Sequence, residues 1–574
     1  MAKFLIGLGT GVLVTFLSIF LLFLFIIRFR EKPPEVAANS VLVMNLEGGL
    51  PEKPPVEIPF IGDDRPSTTV ANVWMALKKA AVDKNIRAIL LEPQRVGMGW
   101  GKLEEVRSGL EQFRKAGKPI YAYLRSPGTR EYYLASAADR IYIGPSDAFY
   151  VKGLRAEMMY FRSTLDKLGV SIEIEHAGKY KDFGDMFTRT DMSPETKEVM
   201  NSVLDSLYGN LVDRIAQGRR KTPDQIRAAI DSGPFLPKQA LDAGLVDALR
   251  HEDEVWGELK AKLGKDEPKR ISLGKYIKVP ADSLGLDDKK NIVALVVADG
   301  EITRGDSSDD GASEDGITSR GFNRLLRRVG ADSTIKGVVV RIDSPGGDSA
   351  ASDEIWREMR ELSKKKPVVI SMSDAAASGG YFMAMTGDPV VAYPGTMTGS
   401  IGVVFGKPNL HGLYGKLGIT KDLLKRGRFA DIDSDYRGLE PVERAKLREG
   451  VDEVYRDFVS KVADARKRKF EEVEPLAQGR VWLGSQAKGN GLVDELGGLD
   501  RAMELVKQKA KIPAGEKVGV VIYPPRRTLV DLLMHRQAED PLLARLKAIA
   551  PGFPLRSMLE GGYLRLAPMV LSVR

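Results

Sequence analysis

The chain contains no cysteine. A cysteine nucleophile and a thiolate metal site are therefore excluded, although the redox compartment is not fixed by that absence. Histidine is nearly as scarce. His176, His251, His411 and His535 form no metal-ligand spacing, and His176 and His411 lack an evident Asp-orienting pattern. There is no Gly-Lys-Ser/Thr phosphate loop. No metal or cofactor is expected. The formal net charge of +8 could suggest nucleic acid, but the basic residues are dispersed. The runs Lys364-Lys365-Lys366 and Arg466-Lys467-Arg468-Lys469 lie in helix-like segments and read as solvated helix faces, so no nucleic-acid partner is expected. From Asp306 to Asp315 apolar residues are missing except Ala312, and this acidic Ser/Gly-rich loop is expected to be mobile.

What is present fits a globular protein with two large domains. The 574 residues are 43% hydrophobic and 29% charged. Phe4 to Ile27 carries no charge, is dense in Leu, Phe, Ile and Val, and is long enough to span a bilayer as a helix. It is longer than the apolar region of a secretory signal, so residues 4–27 are expected to be a retained anchor, although Val36-Ala37-Ala38 could mimic a cleavage site. Lys3 precedes the span and Arg28, Arg30 and Lys32 follow it, a charge count that leans weakly toward a cytoplasmic body. Residues 28–40, with Pro33-Pro34, read as a linker.

The rest of the chain is duplicated. Tyr132-Tyr133-Leu134-Ala135 before Asp139, Pro145 and Gly153 matches Tyr381-Phe382-Met383-Ala384 before Asp388, Pro394 and Gly402, an offset of 381 − 132 = 249. Lys167-Leu168-Gly169 matches Lys416-Leu417-Gly418 at the same offset, and Gly244-Leu245-Val246-Asp247 recurs as Gly491-Leu492-Val493-Asp494 at 491 − 244 = 247. The expected division is a first repeat at 41–250, a connector with a helix at 251–290, a second repeat at 291–510 and a tail at 511–574. In the tail, Leu529–Met534 and Leu542–Ile549 read as helical.

Both repeats follow one order. An apolar strand (Val41-Leu42-Val43-Met44, or Ile292 to Val297) leads through a loop, proline-rich from Pro51 to Pro66 in the first repeat, to a helix (about Val70–Ala81 in the first). A buried strand follows, Ala88-Ile89-Leu90-Leu91 or Val338-Val339-Val340. Strands alternating with amphipathic helices predict an α/β fold. Ser193-Pro194 predicts a helix start. Behind it Val199, Val203, Leu207, Leu211 and Ile215 form one apolar stripe, echoed by Leu447, Val451, Tyr455 and Val459; these stripes read as packing rather than a cofactor site.

Chemistry is split between the copies. In the second, a strand runs into Asp343-Ser344-Pro345-Gly346-Gly347, a turn whose glycines can aim N–H groups into a cavity. Ala377-Ser378-Gly379-Gly380 then sets a hydroxyl before two glycines. The N–H groups of Gly347 and Gly379 are candidates for an oxyanion hole. A serine hydroxyl needs a base, and Lys181, in Gly178-Lys179-Tyr180-Lys181-Asp182 of the first copy, is the candidate. A free lysine, with a pKa of about 10.4, would need about 4 kcal/mol of destabilisation of its charged form to serve near pH 7, which an apolar cleft between domains can supply. Lys179, two residues earlier, would share a face with Lys181 if the segment were a strand. At the repeat offset Ser378 falls on Thr129 and Lys181 on Ala430, so neither copy carries both groups. Alone, Lys181 reads as a surface lysine and Ser378 as a small residue at a packing point; the combination carries the hypothesis.

Ser344-Pro345-Gly346-Gly347, Ala376-Ala377-Ser378-Gly379-Gly380-Tyr381 and Thr398-Gly399-Ser400-Ile401-Gly402, with the lysine segment and Phe187-Thr188-Arg189-Thr190-Asp191-Met192-Ser193-Pro194, resemble the signal peptide peptidase A (protease IV) family of the long duplicated type. The resemblance covers about residues 40–510 and leaves out the tail. It implies two tandem Clp/crotonase-like domains after an N-terminal transmembrane helix. It implies Ser378 as nucleophile, Lys181 rather than Lys179 as general base, Ser400 as the hydroxyl that positions the amine, and Gly347 and Gly379 as oxyanion donors. It further implies a homotetramer on the cytoplasmic membrane of a bacterium, its catalytic body outside the cytoplasm against the charge count, cutting hydrophobic remnants of signal peptides. Peptide would bind by strand addition beside the glycine turn. A crotonase-type acyl-CoA enzyme, an inactive membrane scaffold and a general membrane-protein quality-control protease remain alternatives, and the split leaves open whether serine and lysine meet within one chain or between chains.

Overall fold

The computed structural model describes residues 33–54, 68–264, 267–305 and 316–525, strands at 563–566 and 572–573, and the isolated helical residues 11, 15, 17 and 18. The expected anchor at 4–27 lies almost wholly outside the described residues. So do the acidic loop, most of the proline-rich excursion and both expected tail helices. Among the described residues no helix is long and apolar enough to cross a membrane.

With strands numbered in chain order, the first repeat builds an all-parallel sheet from β1 (Ser40–Gly48), β2 (Ile86–Val96), β3 (Ile120–Leu124), β4 (Arg140–Ile143), β7 (Ala248–Leu249) and β8 (Lys269–Ser272), in the order β7-β4-β3-β2-β1-β8. Ala88 to Leu91 are fully buried, as expected of a parallel strand covered on both faces. The second repeat forms the same sequence of neighbours from β9 (Ile292–Asp299), β12 (Ile335–Ser344), β14 (Val368–Ala377), β15 (Val390–Ala392), β19 (Glu495–Leu496) and β20 (Gly519–Tyr523), reading β19-β15-β14-β12-β9-β20, all parallel. Strands β16 (Met397–Gly399) and β18 (Val481–Leu483) extend it beyond the upper end of β14. Strand β8 falls in the stretch read as a connector and β20 in the stretch read as tail, yet the two hold the same edge position. Each repeat therefore runs further than its sequence landmarks.

The duplication is visible atom by atom. The Tyr132 hydroxyl donates to Leu245 O at 2.7 Å, and Tyr381 donates to Leu492 O at 2.7 Å. Arg219 pairs with Asp247 as Arg466 pairs with Asp494. The helices Pro194–Arg219 and Pro441–Arg466 each have 26 residues and end at a left-handed residue, Arg220 or Lys467. Ser193 caps the first through its side chain, and the stripe from Val199 to Ile215 is buried; Val451 and Val459 are buried in the second, with Leu447 and Tyr455 half-buried.

A third sheet joins the repeats. It is made of β11 (Ile317–Thr318), β10 (Ile302–Thr303), β13 (Gly346–Asp348), β21 (Tyr563–Leu566), β17 (Val403–Asn409) and β6 (Ser171–Ala177), in that order. Antiparallel pairing of β17 with β6, from Val403–Ala177 to Asn409–Ser171, ties the second repeat to the strand that leads into the lysine segment. The short β5 (Ala156–Glu157) pairs with β22 (Ser572–Val573). Trp74 and Ala71, on the helix Val70–Val82 of the first repeat, pack on Val293, Leu295 and Val339 of the second sheet, so the halves share an apolar interface.

Candidate active site

Ser378 stands between β14 and the helix Gly379–Ala384 and is fully buried. Its backbone is at φ 52 and ψ −114, a conformation that costs a non-glycine residue about 1–3 kcal/mol and persists only where the surroundings hold it. Two bonds hold it here. Ser378 N–H donates to Gly399 O at 2.8 Å, and Phe382 N–H donates to Ser378 O at 2.8 Å. Ser400 is likewise at positive φ (51°), anchored by its N–H on Arg480 O at 2.7 Å.

Lys181 arrives from the first repeat. Its Nζ donates to Ser378 Oγ at 2.9 Å, Ser400 Oγ at 3.0 Å and Ser400 O at 3.0 Å. The residue is 1% exposed, and these three partners are uncharged oxygens. All three residues belong to one chain, so the contact needs no second copy. Strand periodicity does not apply to the lysine segment. After β6 the chain turns at Gly178–Tyr180, so Lys179 and Lys181 do not share a face. Lys179 is exposed, with its ammonium 5.0 Å from the Tyr180 ring centroid. His176 is exposed on Gly178 O, and His411 is exposed against the Tyr436 ring.

The glycine turn is itself a short strand rather than a bare turn. β13 pairs with β10 through Gly347 and Ile302. A Cβ at Gly347, where φ is +155, would lie 1.9 Å from Ile302 O. One on Gly379 would lie 3.2 Å from Gly347 N and 2.6 Å from Ser352 Oγ. The backbones of Gly347 and Gly379 thus meet beside Ser378 at an approach that only glycine permits.

A segment without any sequence signal holds the lysine. Tyr180 N–H donates to Gln478 O at 2.7 Å, Lys179 N–H donates to Gln478 Oε1 at 2.9 Å, and Gly479 N–H donates to Ile401 O at 2.7 Å. A Cβ on Gly479 would lie 2.6 Å from Lys181 Cβ, and one on Gly402 3.0 Å from Lys181 Cδ. Gly479 is one of 58 glycines, and nothing in its neighbourhood distinguishes it until the fold brings it to Lys181.

Behind the serine lies a buried ionic seam between the repeats. Asp374, four residues before Ser378, accepts from the N–H groups of Gly99 (3.0 Å) and Lys102 (2.7 Å), at the start of the helix Trp100–Lys115. Lys102 Nζ reaches Asp343 Oδ2 at 2.7 Å, and Asp343 Oδ1 accepts from Ala375 N–H at 3.0 Å. Burial opposes the charge on Lys102, but Asp343, Asp374 and Glu52 outweigh it and raise its pKa above the ordinary amine range. Arg341, fully buried on β12, pairs with Glu52 and Glu105 of the first repeat, each at 3.2 Å. The sequence shows these residues but not their convergence, since the partners lie hundreds of residues apart.

Such an arrangement, a buried amine on a strained serine beside paired glycine backbones, is equipped for nucleophilic acyl chemistry. Comparison with known proteins agrees. The model of Peptidase family S49 matches twice, at residues 112–265 and 360–513. The chain is 34% identical to "Serine protease SPPA, chloroplastic" of Arabidopsis thaliana over 89% of this chain and 76% of that one. It is 31% identical to "Protease 4" of Salmonella typhi (90% and 84% covered) and 31% identical to "Protease 4" of Haemophilus influenzae (86% and 83%). Among solved structures, "ClpP1 from Listeria monocytogenes" aligns over 36% of this chain and 91% of its own at 16% identity and a TM-score of 0.21, too low to bear on the fold. On the double family match and relatives aligned over nearly the whole chain, the protein belongs to peptidase family S49, the signal peptide peptidase A family of serine-type peptidases.

Proposed function

We propose that the chain is a membrane-anchored endopeptidase that cuts hydrophobic peptides, remnant signal peptides among them, with a Ser378–Lys181 dyad set between two Clp/crotonase-type repeats. The observation that carries this reading is the 2.9 Å contact of Lys181 Nζ with Ser378 Oγ. The buried amine lies within hydrogen-bond reach of the serine hydroxyl, the geometry that a general base needs. Neutral Lys181 takes the proton of Ser378 as Oγ attacks the scissile carbonyl, and the N–H groups of Gly347 and Gly379 stabilise the oxyanion. The ammonium then protonates the leaving amine. Water, deprotonated by the same lysine, releases the acyl group. Ser400 keeps the amine aimed through both steps.

The uncharged stretch Phe4–Ile27 supports a single-pass anchor; two of the relatives are bacterial, and the family resemblance is the basis for setting the body on the outer side of the cytoplasmic membrane. Exposed Leu417, Leu423 and Leu424, the last 91% accessible, offer an apolar surface for self-association, and the family resemblance is the basis for proposing a homotetramer. In the test, Ser378→Ala and Lys181→Met are assayed separately on a fluorogenic hydrophobic peptide. Each should lower kcat/KM at least about 10³-fold, and a serine-directed acylating probe should label only the intact site. Activity retained in either variant would refute the dyad.

A further inference from the structure

Strand β14 is bent just before the nucleophile. Its pairing with β12 runs in even register to Ile342–Met372 and resumes at Ser344–Ala376, so Ser373, Asp374 and Ala375 together oppose Asp343 alone. Before this bulge β14 pairs with β15; from Ala375 to Ala377 it pairs with β16 instead, and Ser378 follows. A bulge of this kind re-aims the end of a strand. It is held from the first repeat. The helix Ser349–Lys365 of the second repeat is capped by its own Asp348, which accepts from Ala351 N–H at 2.8 Å. At the repeat offset Asp348 falls on Gly99 (348 − 249 = 99) and Ala351 on Lys102 (351 − 249 = 102). The helix Trp100–Lys115 thus has no capping side chain of its own at Gly99. Its cap is Asp374 of the other repeat, which accepts from the N–H groups of Gly99 and Lys102. A Cβ on Gly99 would collide with that carboxylate, and one on Gly101 with Ser373 O, so both glycines let the helix seat on the bulge.

The Lys102 side chain completes the grip. The residue is 9% exposed, and its Nζ lies 2.7 Å from Asp343 Oδ2 and 3.6 Å from Asp374 Oδ2. Asp343 in turn accepts from Ala375 N–H at 3.0 Å and directly precedes Ser344-Pro345-Gly346-Gly347. One ammonium therefore ties the approach to the glycine strand to the approach to Ser378. The pair is divided between the copies as the serine and the lysine of the site are: at the repeat offset Asp374 falls on Arg125 (374 − 249 = 125) and Lys102 on Ala351. We propose that Lys102 and Asp374 are positioning residues of the active site, which across the repeat interface fix the β14 bulge and with it the strained backbone of Ser378. The inference rests on the peptidase reading above. The pair acts through the strand and not on the peptide, so its loss lowers turnover rather than substrate binding.

The test compares Lys102→Met, Asp374→Ala, and Asp374→Ala combined with Gly99→Asp, each in the full chain. On a hydrophobic peptide kcat should fall at least about tenfold in all three, while KM stays within about twofold of the parent. The melting temperature should fall in Asp374→Ala and recover in the combined variant, because Gly99→Asp gives the helix a cap from its own repeat, as Asp348 does in the other. Recovery of kcat together with stability would reduce Asp374 to a helix cap and overturn the proposal, as would a parent kcat in Lys102→Met. Should Lys102→Met not fold, the combined variant decides. Hydrogen exchange reads the hold without turnover. With Ser378→Ala also present, the Ala375 amide should exchange at least about tenfold faster when Lys102→Met is added, and an unchanged rate would overturn the proposal. If Ser378→Ala left turnover intact, the peptidase reading would fall while the exchange rate still decided whether Lys102 holds the bulge.

Discussion

Gly479 is where a single methyl group tests the placement of the lysine. Its φ is +75, and a Cβ there would stand 2.6 Å from Lys181 Cβ and N and 2.7 Å from Lys181 Cα. These are backbone and near-backbone atoms, so no flexible side-chain end can swing aside. Restoring an ordinary 3.4 Å separation from 2.6 Å requires about 0.8 Å of movement. Carried to Nζ, a shift of that size stretches the 2.9 Å contact with Ser378 Oγ toward about 3.7 Å, outside hydrogen-bond range. Misplacement of a reacting group by about 1 Å costs on the order of 10²-fold in rate, or about 2.7 kcal/mol. Gly479→Ala also carries the left-handed penalty of about 1–2 kcal/mol, which would appear as lost stability. Gly491→Ala separates the two effects. Its φ is +83, and its nearest contact is the guanidinium end of Arg468 at 3.4 Å. Thermal melts should fall in both variants, further in Gly479→Ala because of its added clash, whereas kcat/KM on a hydrophobic peptide should fall about 100-fold only in Gly479→Ala. Equal activity in the two would refute the argument that Gly479 sets the position of the amine.

Two further predictions concern the seam between the repeats. Arg341→Met leaves Glu52 and Glu105 buried without their cation and should cost about 3–5 kcal/mol by denaturant titration, most of it recovered when both glutamates are also made Gln; a loss below about 1 kcal/mol would refute the ionic reading. Glu104 accepts from Gly395 N–H at 3.1 Å and from Asn210, and burial pushes its carboxyl up to about 7. A folded-state value above the ordinary 4.5 gives stability that is fully present below about pH 4.5 and lost as pH rises through about 7. Relative to Glu104→Gln, the parent chain should therefore lose about 2–3 kcal/mol between pH 5 and pH 8; a difference independent of pH would contradict it.

Much of the site was legible because its motifs are local. Ser344-Pro345-Gly346-Gly347 and Ala377-Ser378-Gly379-Gly380 each put function next to the glycines that make the backbone geometry possible, and the offset of 249 between Tyr132 and Tyr381 exposes the duplication. The turn at Gly178–Tyr180 was not legible. Alternation along a strand cannot rank Lys179 against Lys181, and only the turn buries one and exposes the other. Strand β8 was missed as a repeat member because Lys269–Ser272 has almost no apolar pattern, and β20, although apolar, because it lies beyond the last landmark shared at the repeat offset.

By itself the sequence determined the repeated α/β order, the glycine-flanked setting of Ser378 and the separation of serine from lysine, since all three are written in residues near one another or at a constant offset. Only the tertiary structure decided that Lys181 meets Ser378 and Ser400 within one chain, that Gln478-Gly479 clamps the lysine, that a buried seam around Arg341 locks the repeats, and that β21 lies beside the glycine strand. Each of these is a contact between segments far apart in the chain. Burial, steric exclusion at a glycine and the pairing of strand edges select such contacts once the whole chain has packed, and no local pattern records them.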